Sequence, residues 1–569
     1  MRLAILPAIL CVAFLSLPAA AVTIHVPDDY PLIMDAMVFA DPGDTVLVEC
    51  GIYYECGIQM KPGVTLLSET GEQNCAYIGA QNLGRVINCV DCGDSTAIIG
   101  FILAGGRVTS GYGAGIACTN SSPRLENLKI VMGTIDSPTS PGGAGLGCVD
   151  SSPTLTNVRI ENCTLQESTV GGGGGMMTAG QSSPTLNGVH FEMNWTTDAP
   201  GGAMSVQGYG GQIVTLNDVT FYNNSATSGG GLHVSGSTTV LNAAVFDSNW
   251  AYDGGGVHLE TCRPCTLRGV TFEKNTAATG KGGGLLCQMA PAGTATLENL
   301  TFLNNTAVEG GGMACDTSTM PTVSYATFIG NAADRGGGLD VASSPVKMEH
   351  ASFYANEASN GGGVYVDGAS TLDLDASIVS FSTDGEGIGA WGYTPPVITC
   401  TDIYGNAGGD WVGSIAPFLG ENGNISLDPL FCDAANGDLT LAGDSPCLPQ
   451  HNTCGVLYGA HGQGCPPSTD VPEHNETGVF VHPASPNPFG RTTALSYRLP
   501  AVSEVDIAVF DASGRLVRKL VDSQRQEAGA RTTVWNGRDA WGRPVASGVY
   551  FLRVDAGGSA ITRRAVLLR

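Results

Sequence analysis

The chain has 569 residues, 80 of them glycine, about twice the usual share of roughly 7%. The glycines cluster without a three-residue period, which excludes collagen, and 43% hydrophobic against 14% charged residues excludes a disordered polymer. Aspartate and glutamate outnumber lysine and arginine 52 to 26, and a net charge of −26 excludes the basic footprint of a nucleic-acid partner.

Residues 1–21 have the layout of a secretory signal peptide. Arg2 supplies the positive start, Leu3 to Leu17 the apolar run and Ala19-Ala20-Ala21 the cleavage site, so the mature chain is expected to begin near Val22. No later stretch is apolar enough to span a bilayer, so an extracellular or surface-attached protein without a membrane span is expected. Removing Cys11 leaves 17 cysteines, an odd number for an oxidising compartment. Cys432, Cys447, Cys454 and Cys465 crowd the end of the acidic segment, where disulfides would staple a terminus. Cys262 and Cys265 have no second matching pair, so a loop disulfide is expected there in preference to a zinc site.

The middle of the chain repeats a pattern, F-x-x-N-x-A, then a short spacer, G-G-G and Leu, Val or Met. The clearest copies start at Phe221, Phe246, Phe272, Phe302, Phe328 and Phe353, at spacings of 25, 26, 30, 26 and 25 residues. Weaker copies extend through Phe191 and Ile160 upstream and to Ile403 downstream. Before each Phe and after each glycine run the residues alternate apolar and polar, as in Leu297-x-x-Leu300-x-Phe302 and Val257-His258-Leu259, and that period marks half-buried strands. Short strands recurring at this interval predict an all-β solenoid, a right-handed parallel β-helix with one repeat per coil. Asn224, Asn249, Asn275, Asn305, Asn331 and Asn356 would form a hydrogen-bonded ladder at one turn, with the Phe side chains stacked beside it.

The paired F-x-x-N and G-G-x-[ILV] motifs resemble the repeats of chlamydial polymorphic membrane proteins, β-helical surface adhesins. The opening VTIHVPDDYPLIMDAMVFADPGDTVLVECGIYYE and the passage DPLFCDAANGDLTLAGDSPC from Asp428 resemble the first and closing coils of the pectate-lyase-like superfamily. This likeness implies a β-helix over residues 22–466, an N-terminal cap within about 22–60, and a capping helix near Pro31 to Ala40. Too few residues follow for the membrane barrel that ends the chlamydial proteins, so autotransport is not expected.

Residues 467–478 are polar and read as a linker. Residues 479–569 carry 13 basic and 7 acidic residues, net +6, which leaves −32 for residues 1–478 and predicts two units with different surfaces. Alternating strands and turn signals at Ser513-Gly514 and Asn536-Gly537 predict a small antiparallel immunoglobulin-like β-sandwich. Asn487-Pro488-Phe489, Asp511 with Ser513-Gly514-Arg515, Trp535-Asn536-Gly537 and Gly548-Val549-Tyr550 are similar to the FlgD-like immunoglobulin-like domain and to type IX secretion C-terminal sorting domains. That likeness implies export across an outer membrane by secretion machinery, followed by surface attachment or release, with a plain adhesive or spacing module as the alternative.

Outward positions follow the apolar residue after each glycine run: Ser205, His233, His258, Leu286, Ala314, Asp340 and Tyr365. The position two further on adds Glu260, Asp316 and Asp367. His233, His258, Glu260, Asp340 and Tyr365 form a candidate ligand-binding strip, and the competing reading is a solvated face of mixed residues. A polysaccharide lyase or hydrolase needs paired carboxylates or a base beside calcium-holding acids. Lys274, Lys281, Arg335 and Lys347 fall at variable loop positions, so no catalytic residue is assigned. No cofactor is expected; so acidic a shaft would suit calcium, although no Asp-x-Asp-x-Asp-Gly loop appears. Cys118, Cys148, Cys287 and Cys315 fall on inward positions, as core residues and not metal ligands. The expected function is a surface adhesin, binding or structural module whose partner is an extracellular polysaccharide or a surface protein. The alternative is a carbohydrate-active β-helix enzyme.

Overall fold

The computed structural model describes residues 20–568 apart from 140–141, 169–170, 209, 262, 289–294, 318–320, 392–394, 468–478, 482–483 and 485. The expected signal peptide and linker therefore lie almost wholly outside the described residues, as does Cys262. The described residues form two compact units, one on each side of 468–478.

The first unit is built from one coil repeated. In the coil opening at Leu232, a strand Leu232–Ser235 is followed by Thr238–Asn242 and Val245–Asp247, then by a short piece Trp250–Ala251. Side chains alternate in and out along each piece, so Thr239 and Leu241 are buried while Thr238 and Val240 are not. Coil stacks on coil in parallel register, Phe221 beside Phe246 and Phe246 beside Phe272. The strands that follow the glycine runs make a 13-stranded sheet, and the strands around the Phe positions make a 27-stranded one.

Two features hold the register. Phe191 to Phe353 stack with centroids 4.4–5.3 Å apart and planes within 11° of parallel. Beside them each ladder Asn bonds in two directions. Asn305 Nδ2 donates to Phe272 O and to Asn331 Oδ1, both at 2.9 Å, while its Oδ1 accepts from Asn275 N and Nδ2, also at 2.9 Å. The ladder runs from Asn194 through Asn356 and so satisfies the buried backbone where the chain turns. The residue before each ladder Asn takes a left-handed φ even where it is not glycine, as at Asn223, Ser248, Lys274 and Asn304. The ladder bonds outweigh that local strain. Glycine is required on the opposite corner, where a Cβ added at Gly256 would lie 2.6 Å from Gly284 O.

The ends are closed differently. At the N-terminus the helix Ile33–Phe39 covers the first coil with Ile33, Ala36 and Met37. It is shorter than the expected Pro31 to Ala40, and the buried Glu55 carboxylate accepts from Ile33 N (2.8 Å) and Met34 N (2.9 Å) at its start. At the other end Phe431–Asp433, Asp438–Ala442 and Gln463–Cys465 form a small sheet. Disulfides Cys432–Cys465 and Cys400–Cys454 staple this end. Cys447, grouped with them in sequence, is instead a buried thiol 3.3 Å from Asp402. Cys118, Cys148, Cys287 and Cys315 are all buried in the shaft core.

The second unit is an antiparallel sandwich. Phe480–Val481, Thr493–Leu499 and Gly529–Trp535 form one sheet, and Ser503–Asp511, Leu516–Gln526, Gly548–Ala556 and Ser559–Leu567 the other. The residues that carry its family likeness are packing residues. Trp535 is fully buried, with Phe489 and Tyr550 edge-on at 5.4 and 4.9 Å. Asn487 bonds Arg564 O and Val566 N, and Asp511 accepts from the amides of Ser513 and Arg515. Among the described residues no helix is long and apolar enough to cross a membrane.

Candidate functional site

Ser205, His233, His258, Leu286, Ala314, Asp340 and Tyr365 are lateral neighbours on seven successive coils, in the register expected from sequence. Their surroundings differ from the expectation. The strip is not a solvated face: His233, His258 and Asp340 are buried, and Glu260 and Tyr365 are only partly open. A second column of residues, the one before each glycine run, folds against the strip. It comprises Ser228, Asp253, Lys281, Glu309, Arg335 and Asn360. The first glycine of each run lets it approach so closely, since a Cβ at Gly254 (φ +59°) would lie 2.8 Å from that of His258.

This column supplies the cations that the outward acids lacked in the sequence reading. Arg335 pairs with Asp340 at 2.9 Å and Glu309 at 2.7 Å, and its guanidinium lies 5.3 Å from the centre of the Tyr365 ring. Lys281 pairs with Glu309 at 3.2 Å and Asp316 at 2.8 Å. Asp340 is the odd member. Burial pushes its carboxyl up to about 7 against the pull of Arg335, and its Oδ1 has no hydrogen-bond partner among the described residues. Asp367 serves a turn, accepting from Ser343 N, Ala369 N and the Ser370 hydroxyl.

The histidine end is a relay of hydrogen bonds. Gln288 Oε1 accepts from His258 Nε2 at 3.1 Å, which leaves Nδ1 to accept from the Ser228 hydroxyl. Burial, with His233 beside it, holds His258 down to about 3, so it stays neutral and is too weak a base to activate the serine near neutral pH. Glu260 sits at a bulge that pairs Ser235 with Thr261, and it turns back to within 3.5 Å of His233 Nε2. Its contact with His233 lowers the Glu260 carboxyl to about 2. The five candidate residues therefore split into two groups, His233–His258–Glu260 and Asp340–Tyr365, separated by Leu286 and Ala314. The one grouping with metal-ligand spacing among the described residues is Cys50, Glu69 and Cys75, and its two cysteines form a disulfide.

Fold and face together define an all-β protein, a parallel β-helix with a polar strip along one sheet and an immunoglobulin-like sandwich after it. Residues 101–262 and 202–379 match the family described as right-handed β-helix region, and residues 487–559 match the FlgD Ig-like domain. The coils are thus a right-handed β-helix and the sandwich a FlgD Ig-like domain. Comparison with curated proteins finds no match. One solved structure, from a study of PorZ, "an essential bacterial surface component of the type-IX secretion system" of Porphyromonas gingivalis, is 26% identical over 18% of this chain and 13% of that one, with a TM-score of 0.12.

Proposed function

We propose that the protein is an exported binding protein of the bacterial cell surface. Its shaft holds an extended polymer, a polysaccharide or a surface protein, and its C-terminal module serves export and attachment. The observation that carries this reading is the column of partly open charged and polar residues from Ser228 to Asn360, in register over six coils and locked to the buried strip beneath it by ion pairs. A rigid linear face presents its groups with little ordering cost on binding. The likeness of the repeats to surface adhesins, and of the module to sorting domains, supports the same assignment. The test is retention of the purified protein on immobilised polysaccharides and surface-protein extracts, compared with a His233→Ala, Asp340→Asn, Tyr365→Ala variant. Equal retention of the two proteins on every support refutes binding at the strip. Removing residues 479–569 should abolish surface display while leaving the shaft folded; display that persists refutes the attachment role.

One observation favours a second reading, a carbohydrate-active enzyme. Asp340, with its carboxyl near 7 and Arg335 and Tyr365 against it, has the proton affinity of a general acid–base group. Release of reducing or unsaturated ends from a polysaccharide, lost in Asp340→Asn, would establish this reading in place of simple binding.

A further inference from the structure

A different part of the shaft carries an assignment of its own. After most ladder Asn residues one side chain points outward while the next is buried, as with Trp195 before Thr196 and Trp250 before Ala251. Trp195 pairs with Ser225 and Ser225 with Trp250, so the two indoles occupy one column, two coils apart. At about 4.8 Å per coil they stand roughly 10 Å apart along the axis. Both remain substantially open, at 40% and 39%. Tyr222, on the coil between them and in register with Glu192 and Asp247, is equally exposed. Tyr252 stands edge-on to Trp250 at 5.2 Å. Beyond Trp250 the column continues through Thr276, Thr306 and Ala332, small side chains that leave a shallow lane along the shaft.

We infer that the corner around Trp195, Tyr222 and Trp250 is a docking platform for a neutral, β-linked polysaccharide lying along the shaft axis. Exposed aromatic rings with polar tips accept the apolar face of a pyranose, and a cluster of them on a soluble protein marks a contact surface. The spacing of the two indoles is close to one disaccharide repeat of an extended β-linked glycan, so alternate sugars would meet a ring. Glu192, which also pairs with Arg159 at 3.3 Å, and Asp247 flank Tyr222 and offer acceptors to sugar hydroxyls. The same carboxylates, on a segment of net charge −32, repel a polyuronate or an anionic lipid surface. Charge therefore selects a neutral glycan.

The test uses the full chain with cellohexaose, laminarihexaose and mannohexaose, and with oligogalacturonate of equal length, followed by calorimetry. At least one neutral hexasaccharide should bind. Trp195→Ala and Trp250→Ala should each weaken it by at least about fivefold, the double variant should abolish it, and Trp250→Phe should keep part of it. Trp391→Ala, an exposed indole on another part of the shaft, should leave binding unchanged. The assignment is overturned if none of the neutral sugars binds, if oligogalacturonate binds as tightly, or if the platform variants bind as the parent does. Because the strip residues are untouched, failure here leaves the strip reading standing.

Discussion

Asp340→Asn tests the account of the strip through its pH dependence. In the folded chain the Asp340 carboxyl sits near 7 and its ordinary value is 3.8. For an acid raised on folding, the stabilising contribution is complete below 3.8 and is lost as pH rises through 7. Between pH 5 and pH 8 the parent should therefore lose roughly 3 kcal/mol from this one residue, at about 1.4 kcal/mol per pH unit up to 7. Asparagine keeps the shape, offers Arg335 an oxygen and does not titrate. The offset between variant and parent at pH 5 depends on how Arg335 repairs its pairing with Glu309, but the change in that offset with pH does not. Urea unfolding followed at pH 5, 6, 7 and 8 should show the variant gaining on the parent by roughly 3 kcal/mol across the range. Parallel pH profiles would refute a buried, ionisation-resistant Asp340.

Other consequences are equally direct. Asp402, fully buried and also held near 7, adds a loss of the same sign as pH rises from 3.8 through 7, while His258, held near 3, costs stability as pH falls below 6.5. The two acids together lose more than the one histidine regains, so the parent should lose stability on balance as pH rises from 5 to 7, and a midpoint that rises steadily from pH 5 to pH 9 would contradict these placements. Replacing Asn305 by Leu strands Asn275 N–H, Asn275 Nδ2–H and Phe272 O, which at about 1–3 kcal/mol per buried group should cost roughly 3–9 kcal/mol in urea; an unchanged midpoint would count against the ladder. Glu309, Asp316 and Asp340 are each paired with Lys281 or Arg335, so EDTA should leave the thermal midpoint within a degree or so, and a larger fall would reveal a bound cation. Trp535→Ala should cost the sandwich about 3–5 kcal/mol and leave the shaft transition in place, as calorimetry would show.

The repeat made the fold legible. Phe, Asn and the glycine run occur once per coil, and each answers to a single physical demand: stacking, backbone satisfaction at a turn, or room for the next coil. The columns that the Phe and Asn spacings define are therefore the columns found. The ends were less legible because they do not repeat. The Glu55 carboxylate on the capping helix joins residues more than twenty apart, and Cys447 lies among disulfide cysteines without being one. Neither relation leaves a local pattern.

The burial of the strip escaped the sequence for a reason of alignment. Counted from Phe, Arg335 falls seven residues on, as do four of the other column members, but Lys281 falls nine on, so the two cations do not line up in that register. Counted back from the first glycine, the residues are Ser228, Asp253, Lys281, Glu309, Arg335 and Asn360, a single column that alternates in charge across its middle. The glycine run is the rigid anchor, because its atoms touch the coils on both sides, while the spacer absorbs the insertion at Lys281. Residues next to a constrained corner are in register whatever precedes them, and that places Arg335 over Asp340 and Lys281 over Asp316. His258 and Asp340 are held by Ser228 and Arg335 of that column. Both side chains are buried, so the strip binds or acts only through a structure that its own ion pairs help to hold.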